Sequence, residues 1–99
     1  MNKMVAVGNA KSGKTREAIA AFKALMDYAR TKHGYKGEAY MQTFGGTPGT
    51  IYIISEWNDA ASYQAFQAKV MADEGVLTLV QRVDEVMSGP PTMAFLQPV

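Results

Sequence analysis

The sequence predicts a single α+β domain spanning residues 1–99, a β-α-β-β-α-β unit whose four-stranded antiparallel sheet carries helices on one face. Three observations carry this. Long stretches with apolar residues three and four apart alternate with four short runs rich in β-branched and aromatic residues. The turn at residues 45–49 (GGTPG) separates two neighbouring strand-like runs, which therefore pair as a hairpin. Ninety-nine residues suffice for one core and little else.

Residues 4–7 (MVAV) read as the opening strand, ending at Gly8. Over residues 13–31, Ala18, Ile19, Phe22, Leu25, Met26 and Ala29 mark one face of a helix, with Ser12 as candidate N-cap. Lys32, His33 and Gly34 stop it: basic groups near the last carbonyls, then a glycine able to take positive φ. Residues 38–44 (EAYMQTF) form the second strand, and Thr50–Trp57 (TIYIISEW) the third and strongest. Asn58 or Asp59 caps the next helix, whose stripe is Tyr63, Phe66 and Val70. A break near residues 73–75 follows, and the helix resumes through Val76, Leu79 or Val80, Val83 and Met87. Gly89, Pro90 and Pro91 end it, and Thr92–Leu96 is the last strand. Alternation puts Ile51 and Ile53 on one side of the sheet, Tyr52 and Ile54 on the other. The helices cover only one of these faces, so a homodimer formed through the sheets is expected.

Composition narrows the function classes. Hydrophobic content of 47% with 19% charged residues describes a folded globule. A net charge of +1 gives no field to draw the chain onto nucleic acid or acidic lipid. No cysteine is present, which removes disulfides, thiol catalysis and cysteine-ligated metals. The apolar start is too short for a signal peptide and no run is long enough to span a bilayer, so a cytoplasmic protein without membrane or nucleic-acid partners is expected.

The stretch GNAKSGKT, residues 8–15, spells a phosphate-binding loop, G-x-x-x-x-G-K-[ST]. Its context argues against that role. A working loop needs an acidic residue after a second apolar strand to organise magnesium, and here the comparable strand ends in Ser55, Glu56 and Trp57 within a hairpin.

The chain resembles the dimeric α/β-barrel superfamily of ferredoxin-like proteins and, within it, the antibiotic-biosynthesis-monooxygenase-like group. The residues that carry the resemblance are Gly13-Lys14 at the start of a long helix, and a third strand ending in Trp57. Asn58-Asp59 and a helix written AASYQAF then follow. The resemblance implies a dimeric barrel. It also implies one of several activities: cofactor-independent oxygenation of polycyclic phenols and quinone precursors, haem degradation, or isomerisation or lysis of small substrates. In the haem-degrading members, a first-strand asparagine falls on Asn9 and a second-helix tryptophan on Phe66 or its neighbour Tyr63. Their haem-ligating histidine has no counterpart in residues 67–83, which argues against haem.

His33, the only histidine, is expected to interact with the final carbonyls of its helix. One histidine with scattered carboxylates makes no metal cluster, and Ser12, Ser55, Ser62 and Ser88 have no local base. No metal and no cofactor is therefore expected. What remains is an apolar pocket between sheet and helices. If the protein is an enzyme, the expected reaction is oxidation of a small aromatic phenol or quinol by O2, with the substrate anion supplying the electron. Asn9 would orient it, Tyr52 or Trp57 would add a polar contact, and Tyr40, Phe44, Tyr63 and Phe66 would line the substrate pocket. The alternatives are a non-catalytic dimer that binds an apolar metabolite or serves as a structural partner, and a non-oxidative activity of the same superfamily. An oxygenase needs a cavity with Asn9 and an aromatic polar group pointing inward. A structural dimer would have those positions packed or turned to solvent.

Overall fold

A computed structural model describes all of residues 1–99. In chain order the elements are β1 (Asn2–Asn9), α1 (Thr15–His33), β2 (Glu38–Met41), β3 (Thr50–Trp57), α2 (Ala60–Met71), α3 (Glu74–Val86) and β4 (Thr92–Leu96). The strands form one antiparallel sheet in the order β2-β3-β1-β4. This is the expected ferredoxin-like topology, with the second helical segment split into α2 and α3.

The sheet is open, and this corrects the expected dimeric α/β barrel. Closing a barrel requires the first and last strands to pair. Here β2 and β4 are edges, four and five residues long, separated by both central strands. Neighbouring strands rotate by only about 20–25°, so four of them do not bring the edges together. The homodimer expected with the barrel is not shown by an open sheet.

Register sorts the side chains by face. Ala6 lies opposite Ile53 and Met93, Met4 opposite Ser55 and Phe95, and Gly8 opposite Ile51. These point towards the helices. Val5, Val7, Tyr52 and Ile54 alternate with them on the other side, where no element of the chain covers the sheet. The packed core lies at one end of the helix layer, where Ala18, Ile51, Val83 and Met87 meet, with Phe22 and Leu25 against them. Gly8 packs closely there: a Cβ would stand 3.0 Å from the Met87 methyl carbon.

Local chemistry sets the element ends. Gly13, at φ 76°, and the bond from the Lys14 N–H to the Lys11 carbonyl (2.9 Å) turn the chain before α1. Ser12 is thereby left outside the helix, and Lys14 occupies the N-cap without a side-chain bond, which corrects the expected Ser12 cap. At the other end Gly34 takes φ 67°, and the N–H groups of Gly34 and Tyr35 reach the Arg30 and Ala29 carbonyls. Asp59 caps α2 by accepting from the Ser62 N–H at 2.7 Å. The strand predicted over residues 38–44 stops at Met41. The Gln42 side chain donates to the Phe44 carbonyl (3.3 Å) and accepts from the Tyr52 hydroxyl (3.0 Å), and Gly45 and Gly46 then take positive φ.

The end of α1 is fastened to the joint between α2 and α3. His33 does not serve the carbonyls of its own helix as expected. Its Nε2 lies 2.7 Å from Oδ2 of Asp73, with both side chains over nine-tenths buried. Asp73 also accepts from the Tyr28 hydroxyl (3.1 Å), pairs with Lys32 (3.2 Å) and caps α3 through the Gly75 N–H (2.8 Å). His33 first, then Lys32, Gly75 and Tyr28, hold the Asp73 carboxyl far below the usual carboxylate range.

A depressed carboxyl pKa contributes stability above its unfolded value and loses it as pH falls towards the folded one. Asp73→Asn should therefore be less stable than the native chain at neutral pH. In urea denaturation the difference should shrink below about pH 4. Gly34→Ala meets no neighbouring atom and strains only the backbone, at about 1 kcal/mol. Calorimetry should show a fall in Tm of about 4–8 °C.

Candidate functional site

A cavity opens where small side chains of the sheet and of α1 face one another. At the packed end, Ile51 and Met87 fill the layer. Toward the other end the central strands present Ala6 and Ser55, and α1 presents Ala29, none large enough to reach across. A cavity of ≈ 260 Å³ results. Sheet, α1, α2 and α3 all contribute walls. The α2 wall is one helical stripe, Tyr63, Phe66, Gln67, Val70 and Met71, at spacings of three and four. No Asp, Glu, Lys, Arg or His lines the cavity.

Its polar content is small and clustered. Ser55, only 3% exposed, accepts the Trp57 indole N–H at 2.8 Å. Indole nitrogen only donates, so the serine keeps its own O–H to give. The Tyr35 hydroxyl lies beside it: burial raises the Tyr35 pKa, and the Ser55 hydroxyl partly offsets that rise. Burial also raises the Tyr63 pKa. Both phenols therefore stay protonated at neutral pH and can donate hydrogen bonds.

An aromatic wall surrounds this cluster. Phe66 stacks on Tyr35, with centroids 5.5 Å apart and rings at 25°. Trp57 meets Tyr63 edge-on at 5.4 Å and Phe66 at 5.2 Å, and Tyr63 reaches Phe95 at 6.4 Å. Such pairs fix ring orientation as well as burying area.

The structure divides the residues singled out from sequence. Trp57, Tyr63 and Phe66 come together: Tyr63 and Phe66 line the cavity, and Trp57 stands behind Ser55. Asn9 does not line it. Asn9 is exposed at the end of β1, where its Oδ1 accepts from the Thr50 hydroxyl (2.6 Å) and its carbonyl from the Ser88 N–H (2.8 Å). Tyr52 lies on the same uncovered face, bonded to Gln42. Tyr40 borders a separate groove between α1 and the edge strand β2, of ≈ 340 Å³, and Phe44 is 95% exposed in the hairpin turn.

Ser55, Tyr35 and Gln67 were not singled out from sequence. Ser55 was legible in principle, because the alternation of Ile51, Ile53, Ser55 and Trp57 places a hydroxyl on the helix-facing side. Gln67 follows Tyr63 by one helical turn. Tyr35 stands in irregular chain after Gly34, where no periodicity operates. In the stretch GNAKSGKT, Gly8 and Asn9 stay in β1, paired with Ile51 and Thr50.

Comparison with known proteins agrees with the topology. The chain is similar in structure to a NIPSNAP domain protein from Burkholderia xenovorans, with TM-score 0.85, 16% identity, and 100% of this chain and 95% of the other covered. A NIPSNAP family protein from Agrobacterium tumefaciens gives TM-score 0.85 at 10% identity, covering 99% and 92%. A structure described as an antibiotic biosynthesis monooxygenase gives TM-score 0.75 at 19% identity, covering 100% and 99%. At such identities these likenesses establish the fold alone. None of the curated proteins matches the chain. No helix is long and apolar enough to cross a membrane. The family model for antibiotic biosynthesis monooxygenase matches residues 1–76, more than half of the sequence, and the chain belongs to that family.

Proposed function

We propose that the protein binds a small, neutral aromatic phenol or quinol in the cavity between sheet and helices and promotes its oxidation by O2. The observation that carries this is the uncharged, aromatic-walled cavity in which the Ser55 hydroxyl is backed by the Trp57 indole. An apolar ring finds flat aromatic partners there, and its oxygen finds donors in Ser55, Tyr35 and Tyr63. Accepting from the indole makes the serine O–H a better donor to developing negative charge. At ≈ 260 Å³ the cavity falls just below the usual range of about 300–1,000 Å³ for ligand sites, which favours one or two rings.

The chemistry asks little of the protein. The phenolate passes electron density to O2, and a C–O bond forms at a ring carbon ortho or para to the oxygen that bears a hydrogen. Loss of water from the resulting C–O–O–H group leaves a quinone carbonyl. One oxygen atom of O2 enters the product and the other leaves as water. The cavity holds no base to make the phenolate, so the proton goes to solvent and the side chains only stabilise the anion. The lack of a base also supports a second reading, in which the same cavity binds an apolar aromatic without turnover.

With 1-naphthol as probe, oxygen uptake should rise with pH as the naphthol itself ionises. No rising limb near the usual histidine or carboxylate range should appear, because no such group lines the site. Binding of naphthol without oxygen uptake at any pH would favour the second reading. Ser55→Ala removes a hydrogen bond to a charged group and should lower kcat/KM by about 10- to 100-fold. Ser55→Thr keeps the hydroxyl and should recover most of the loss. Fluorescence of Trp57, the single tryptophan, checks that each variant remains folded.

A further inference from the structure

Four of the chain's seven methionines, Met4, Met26, Met71 and Met93, line the cavity. They differ in access. Met26 is 4% exposed, whereas Met71 is 41% and Met93 50% exposed. Met71 stands at the end of α2 and Met93 on the edge strand β4, so solvent-facing thioethers from two elements form the cavity's rim. Met1 and Met41 are also exposed but line no part of this cavity.

We propose that Met71 and Met93 are an oxidation-sensitive rim through which peroxide closes the cavity to apolar ligands. The proposal rests on the reading of this cavity as the ligand site. The thioether sulfur attacks one oxygen of hydrogen peroxide. An S–O bond forms, the O–O bond breaks, and the second oxygen leaves as water with both hydrogens. Sulfur loses two electrons and peroxide gains them. The flexible apolar side chain becomes a polar sulfoxide that requires hydrogen-bonding partners. Around it stand mainly apolar groups, Pro91, Val70 and Val76 among them. The sulfoxide oxygens therefore hold water at the mouth, and a ring entering the cavity must displace it. An enzyme that handles O2 works where peroxide arises from leaked reduction, which gives such a rim a purpose.

The test treats the native protein with graded hydrogen peroxide. It follows each methionine by peptide mass spectrometry and measures 1-naphthol binding by quenching of Trp57 fluorescence. Met71 and Met93 should oxidise well before Met26. Binding should weaken by at least about tenfold as their sulfoxides accumulate, and methionine sulfoxide reductases should restore it. Whatever affinity the double variant Met71→Leu/Met93→Leu has for naphthol before treatment, the same peroxide exposure should leave it unchanged, whereas Met41→Leu should give no protection. Unchanged affinity with both rim methionines fully oxidised would overturn the proposal, and so would equal loss in the double variant. If the untreated native protein binds no naphthol, the ligand-site reading fails and this proposal fails with it.

Discussion

One layer of helices must cover a sheet whose inward side chains leave the space between Ala6, Ser55 and Ala29 unfilled, and most of the molecule follows from this. Where Ile51, Val83, Met87 and Ala18 meet, the layer is filled and Gly8 yields the last space to a methyl group. Where Ala6, Ser55 and Ala29 face one another, the same helix–sheet separation leaves a gap. Interiors pack at crystal-like density when they can. A gap bounded by rigid elements persists because α1 cannot approach there without breaking contact at the packed end. The His33–Asp73 pair reinforces this by pinning the end of α1 to the α2–α3 joint.

The gap has a particular chemistry. Its walls are aliphatic, thioether and aromatic, and its polar groups are hydroxyls and one amide. Burying an unpaired charge in such a space is costly, so it selects for neutral ligands before any specific contact is made. The Trp57–Ser55 bond then gives the space a direction, with an apolar body toward the rim and a hydrogen-bonding end toward the sheet. Tyr35 reaches that end only because Gly34 turns the chain out of α1 and Phe66 holds the ring by stacking.

Much of the architecture was legible in the sequence, for identifiable reasons. Strand alternation in TIYIISEW, the helical stripe Tyr63–Phe66–Val70 and the break before Gly75 are local signals, and each led to the right element. Ser12 failed as a cap because Gly13 turns the chain after it. The barrel failed because closure depends on which strands lie at the edges. The site was half legible. Trp57 converges with Tyr63 and Phe66 because it sits on the helix-facing side of β3 and they sit on the stripe of α2 that faces the cavity. Asn9 and Tyr52 were as suitable in kind but fall on the opposite face, a difference of one residue in strand parity. The Asp73 partner of His33 lies 40 residues away in sequence, beyond any local pattern.

The most direct test of the account is a crystal soaked with a brominated naphthol and measured at the bromine absorption edge. The account predicts one anomalous peak between the sheet and the helices, among Tyr63, Phe66 and Val76, with the naphthol oxygen within hydrogen-bond distance of the Ser55 hydroxyl. A peak in the groove between α1 and β2, or on the uncovered face near Tyr52, with none in the cavity would contradict it.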